Sequence, residues 1–135
     1  MHVKKFKNQI GKASVIASFI LLVGCSSQTI ESQIVGRWSM TKVLQHDNDV
    51  TAEHNPEGER WIEFRADKTF LSGGAPFGEN TGSWSLKEGG KILFLDSSVE
   101  NDDSEWDLHI MGDEMQWTGI GDPGKEAFTL IHSRM

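Results

Sequence analysis

Tyrosine is absent from the 135 residues, cysteine occurs once and proline three times. A single cysteine excludes an intrachain disulfide. Basic residues are scarce: 13 Lys and Arg stand against 20 Asp and Glu, a net charge of −7. Nucleic acid and anionic lipid headgroups need a basic footprint, so neither fits as a partner. The apolar run at 13–24 holds 12 residues, short of the roughly 20 that a membrane-spanning helix needs. The length is that of one domain, too short for a multidomain enzyme or an ordinary doubly wound nucleotide-binding fold. No Ser/His/Asp or Cys/His set stands out, and no spacing selects a pair of carboxylates. Neither an enzyme activity nor a cofactor is expected.

What is present begins with an address. Lys4, Lys5, Lys7 and Lys12 form a basic head without an acidic residue, and ASVIASFILLVG follows. That is the layout of a signal-peptide core. Leu22-Val23-Gly24-Cys25 then places small residues before the lone cysteine. This segment resembles the lipobox of bacterial lipoproteins. The resemblance implies that residues 1–24 are removed, that the Cys25 sulfur takes a diacylglycerol and that the new amine is acylated. Two acyl signals turn marginal membrane binding into stable anchoring. It also implies a place in the bacterial envelope, and Ser26, a residue other than Asp after the anchor, implies the outer membrane. Without the four signal lysines, nine of the 13 basic residues remain against all 20 acidic ones, a net −11. The membrane is then a partner through the lipid on Cys25 alone. Residues 26–32 read as a polar tether of about 25 Å at full stretch, and 33–135 as the domain.

No segment after Ser32 sustains a helical period of apolar residues. Short alternations cut by Gly, Asn and Asp recur instead. Eight strands are expected, near 34–44, 59–66, 68–73, 80–87, 90–96, 104–111, 114–119 and 126–134. Hairpin-sized connectors at Ala66-Asp67-Lys68, Lys87–Gly90 and Gly112-Asp113 carry turn residues, and Asp122-Pro123-Gly124 reads as a further turn. The polar connector 45–58, with Pro56, reads as a loop or lid. Trp38, Trp61, Trp84 and Trp106 recur at intervals of 23, 23 and 22 residues, an echo that would return them to one end of a meander. Parity along strands six to eight gives one apolar and one polar face. That predicts an antiparallel sheet with a single core. Short sequential turns favour an eight-stranded up-and-down barrel over a sandwich.

Gly36-Arg37-Trp38 after Ile34-Val35, Phe64-Arg-Ala-Asp-Lys-Thr-Phe70, and Thr81-Gly-Ser-Trp84 with Lys91–Leu95 stand in an order that resembles bacterial lipocalin-like domains. Lys68 stands where that pattern has Gly. The resemblance implies that Trp38 closes one barrel end with Arg134 lying across it; Arg134 shares the parity of Phe128 and Leu130. It further implies a ligand pocket, for which the inward candidates are Trp38, Met40, Phe64, Trp84, Phe94, Met115 and Trp117, with His132 as a polar handle. An eight-stranded barrel holds either packed side chains or one small ligand. A small apolar or amphipathic ligand is the leading expectation. The alternative is a filled barrel that docks another envelope protein through 45–58 or Trp61, which has parity opposite to Ile62 and Phe64. Stacked tryptophans binding carbohydrate would require several of them outside.

Two patterns are set aside. Gly119–Lys125 matches GxGxxG, but a strand follows where a helix is required. The acidic segments around Asp47–His54 and Glu100–Glu105 lack the glycine turn of a calcium loop, so no metal is expected.

Overall fold

The computed structural model describes residues 28–135. The basic head, the apolar run and Cys25 lie outside the described residues. In chain order the elements are α1 (Ile30–Ile34), β1 (Gly36–Gln45), β2 (Asn48–Asp49), α2 (Thr51–His54), β3 (Trp61–Phe64), β4 (Thr69–Gly73) and β5 (Asn80–Lys87). β6 (Ile92–Ser97), β7 (Ser104–Met111), β8 (Glu114–Ile120), α3 (Pro123–Glu126) and β9 (Phe128–Arg134) complete the chain. β1 and β3 to β9 lie antiparallel, each beside the next, and β9 returns to pair with β1 from Trp38↔Arg134 to Gln45↔Phe128. The sheet is therefore a closed eight-stranded barrel, as the strand and turn spacing predicts, and closure removes its edges. β2 is a two-residue fold-back onto the end of β1. Among the described residues no helix is long and apolar enough to cross a membrane.

Alternation places the core. Ile62 and Phe64 of β3, Phe70 of β4, Trp84 of β5, Leu108 of β7, Met115 and Trp117 of β8, and Leu130 and His132 of β9 are buried inside. β6 corrects the expectation for Phe94. Leu93 and Leu95 are the buried residues, while the Phe94 ring lies outside with Lys87 Nζ 4.8 Å from its centroid. Leu95 pairs with the inward Trp84 and Leu93 with Leu86, and directly paired residues share a face. Ile92-Leu93-Phe94-Leu95 is apolar throughout, so alternation alone could not choose the inward set.

β1 departs from simple alternation as well. Met40 pairs with His132 but Lys42 with Ile131, which leaves Thr41 as an extra, bulged residue. The Thr41 hydroxyl donates to the Ile131 carbonyl at 3.1 Å. The bulge resets parity, so Trp38 and Met40 face inward before it and Val43 after it.

The end of the barrel where β1 begins is sealed. Thr29 caps α1, its side chain accepting from Ser32 N, so the last residues of the expected tether are folded. α1 packs Ile30 against Gly90 in the β5–β6 turn and pairs Glu31 with Lys68 in the β3–β4 turn. Beneath it, Trp38 is fully buried and its Nε1 donates to the Ile34 carbonyl at 2.9 Å. The Arg134 guanidinium lies 4.2 Å over the Trp38 ring and donates to the Val35 and Gln33 carbonyls at 3.1 and 2.7 Å. Gly36 makes room for this: its φ is +132°, and a Cβ there would stand 3.0 Å from Arg134 Nη1.

The tryptophan echo is not a return to one end. Trp38 and Trp84 lie in the sealed half, Trp106 faces inward near the opposite mouth, and Trp61 is on the outer face. Trp38 pairs with Ile62 and Ser39 with Trp61, so Trp38 and Trp61 stand one register step apart on opposite faces of the sheet.

Candidate functional site: a cavity at the open end of the barrel

Toward the end opposite α1 the barrel is not filled. A cavity of about 470 Å³ opens there, within the roughly 300–1,000 Å³ usual for small-molecule sites. Its origin is a difference in side-chain size between walls. β1, β3, β8 and β9 bring Met40, Ile62, Trp117, Leu130 and His132 to it; β4 to β7 bring Ser72, Asn80, Ser97 and Ser104 at the level of the mouth. These small polar side chains cannot reach across the barrel as the rings at the sealed end do. They are in part satisfied among themselves: Ser97 Oγ donates to Asn80 Oδ1 at 3.0 Å and Trp106 Nε1 donates to Ser104 Oγ at 2.8 Å.

The floor is aromatic. Phe64 meets Trp84 and Trp117 edge-on, with centroids 5.7 and 6.0 Å apart, a favoured arrangement for ring quadrupoles. Above it Trp117 stacks at a tilt on His132, 4.4 Å between centroids, and on Trp106 at 5.5 Å. His132 is buried, and burial first, then the Arg60 charge, pushes its pKa down to about 3; a hydrogen bond with the Met115 backbone acts in the opposite direction. The imidazole is therefore neutral at physiological pH. His132 Nδ1 and Trp117 Nε1 have no hydrogen-bond partner.

Arg60 crosses the mouth. It precedes β3 with the parity of Ile62 and Phe64, donates to the His54 carbonyl at 3.1 Å and sits with its guanidinium 4.7 Å from the Phe77 ring centroid. Burial lowers its pKa, though an arginine stays charged. Asn55 holds this corner together. Its Nδ2 donates to the Met40 carbonyl at 2.8 Å, and its Oδ1 accepts from Arg60 N at 3.2 Å.

Of the residues anticipated for a pocket, Met40, Trp117 and His132 line the cavity. Trp38, Phe64, Trp84 and Met115 are inside the barrel but packed into its sealed half, because rings and α1 fill that half completely. Phe94 is outside, for the register reason given above. Reasoning from sequence missed Arg60, whose parity with Ile62 and Phe64 was the available signal. It also missed Asn55, which is 4% exposed within a connector read as a loop or lid; nothing local distinguishes it from neighbouring polar residues. That connector carries β2 and α2, with Val50 packed against the core.

Trp61 faces outward but is half-buried, with Arg37 stacked 3.8 Å from its ring centroid. It leans on Gly73, where a Cβ would stand 2.9 Å from the indole. Residues 121–127 hold the one-turn α3, capped by Asp122, before β9. Among the described residues no three His, Asp or Glu side chains gather as a metal site.

No protein-family model and no curated protein matches the chain. Among solved structures, the chain is similar to the crystal structure of a DUF4847 family protein from Bacteroides vulgatus. The TM-score is 0.54 at 12% identity, over 74% of this chain and 92% of that one. At that identity the likeness is one of fold, and the fold shared is the eight-stranded barrel.

Proposed function

We propose that this chain is a lipid-anchored protein of the bacterial envelope that binds one small amphipathic molecule and carries out no chemistry on it. The cavity carries the reading: a half-open space of about 470 Å³ with Met40, Ile62, Phe70, Leu95 and Leu130 among its walls and Ser72, Asn80, Ser97 and Ser104 at its mouth. Apolar walls with a few convergent polar groups are the general form of a ligand site. The order of basic head, apolar core and Leu22-Val23-Gly24-Cys25 supports the anchor. Gln28 and Thr29 enter at the sealed end, so a Cys25 tether would leave the mouth facing away from the membrane. The rival reading, docking through 45–58 or Trp61, has less support, since the barrel is unfilled near the mouth and Arg37 covers Trp61.

Two measurements test the two halves. Residues 28–135, which contain the whole barrel and α1, should enhance the emission of N-phenyl-1-naphthylamine with one-site saturation and quenching of tryptophan fluorescence. No saturable change would remove the binding function. In a bacterial host, radiolabelled palmitate should enter the full chain and be lost in Cys25→Ser; an unlabelled wild-type chain would remove the anchor.

A further inference from the structure

Among the residues that line the cavity only Arg60 carries a positive charge. It is held in place, with its N–H on Asn55 Oδ1, its Nη1 on the His54 carbonyl and its guanidinium against the Phe77 ring. Arg37, Arg65, Lys68, Lys87 and Arg134 each pair with a carboxylate. Arg60 is half-buried, and among the described residues no carboxylate lies within 4 Å of it. Acids outnumber bases 20 to 13 in this chain, so acids were available to pair with it. Of its planar fork of N–H donors, only Nη1 donates to a protein acceptor among the described residues. A guanidinium drawn partly out of water without an anion loses hydration that no partner returns. Its charge also reaches the cavity wall, since it helps to depress the pKa of His132.

We propose, resting on the binding reading above, that the cavity takes an amphiphile with one anionic head, a carboxylate or a phosphate or sulfate monoester. The head pairs with Nε and Nη2 of Arg60 at the mouth, and the apolar tail enters among Met40, Ile62 and Leu130. Glu79 and Asp102 stand at the same mouth and oppose an anion, but both are exposed. Asp102 lies on the β6–β7 connector, and β7 is four strands round the barrel from β3, which Arg60 precedes. Solvent and salt damp exposed charges, whereas Arg60 acts from a half-buried position where charge-assisted hydrogen bonds are stronger. A cationic head would meet only the exposed carboxylates and would be repelled by Arg60.

The test is displacement of N-phenyl-1-naphthylamine from residues 28–135 by decanoate, 1-decanol and decyltrimethylammonium. Decanoate should displace the probe at about tenfold lower concentration than decanol, and the ammonium compound should be the weakest. Arg60→Gln removes the charge and the fork, so decanol, with the less hydrated head, should then lead. Arg60→Lys keeps the charge without the fork and should fall between the two. One readout needs no variant: the carboxyl of bound decanoate, followed by carbon NMR, should titrate below its value in water, because a guanidinium favours the carboxylate. The assignment is overturned, and the binding reading left intact, by a bound carboxyl that titrates at or above its free value. Decanol level with or ahead of decanoate in the wild-type protein, or the ammonium compound ahead of both, has the same consequence. So does an order of potency that Arg60→Gln leaves unchanged. Failure of the probe and all three compounds to bind overturns both.

Discussion

Unfolding carries His132 from a dry wall, where its pKa is about 3, to water, where it returns to 6.5. Between these values the unfolded chain holds a proton that the barrel does not, so stability is full above pH 6.5 and falls as pH drops. The slope approaches about 1.4 kcal/mol per pH unit within that window. The urea midpoint should therefore fall from about pH 7 to about pH 5, above the range where ordinary carboxylates titrate. His132→Phe should flatten that slope; an unchanged slope would mean that His132 is hydrated in the native protein. At the sealed end, Arg134→Ala uncovers Trp38 and leaves the Val35 and Gln33 carbonyls without their donor. The expected loss is about 2–4 kcal/mol by thermal or urea unfolding. Arg134→Lys should recover little of it, because an ammonium lacks the planar fork that spans two carbonyls over an indole.

The β3–β4 hairpin and α1 meet at Lys68, which holds φ +73° where glycine would be unstrained. Asp67 secures the turn by accepting from Thr69 N and Oγ1 at 3.0 and 2.6 Å. Lys68 in turn pairs with Glu31 of α1, and its Nζ is 4.7 Å from the Trp84 ring centroid. Lys68→Gly should relieve about 1–2 kcal/mol of left-handed strain and remove exposed contacts worth no more than about 1 kcal/mol. Global stability should change little while the α1 amides exchange faster with deuterium. Unaltered exchange would show that Ile30 packing alone holds the helix. Elements were largely legible because each strand carries its own punctuation: seven of the eight expected strands overlap an observed one at nearly the same bounds, and the 59–66 strand shortens to Trp61–Phe64. What was not legible depended on neighbours. Phe94 sits in a continuous apolar run, and Thr41 becomes a bulge only because β9 is one residue shorter across that pairing.

For the whole molecule, the division between a packed half and an open half decides what the barrel can do. Ser97 faces the space that the floor aromatics leave empty. Ser97→Phe should fill part of that space and abolish probe binding. Stability should be retained or raised, since the buried apolar area offsets the two lost hydrogen bonds, the one donated to Asn80 and the one accepted from Val99 N. Probe affinity unchanged by this substitution would place the bound molecule elsewhere. The site was only partly visible beforehand. Met40, Trp117 and His132 followed from parity, but parity says which face a side chain takes and not how far along the axis the barrel is filled.

The linear chain by itself determined the strand count, the short turns and the single apolar face, because these depend on local periodicity and on residues that favour turns. It also determined the excess of acid, and it carries the order of basic head, apolar run and Leu22-Val23-Gly24-Cys25 on which the anchor is proposed. The tertiary structure decided the rest. Closure of β1 on β9 set the bulge, cross-strand register turned Phe94 outward, and the meeting of small side chains from four strands opened a cavity that no single segment contains. Each of these arises from residues distant in sequence, and a volume between walls exists only once the walls are in place.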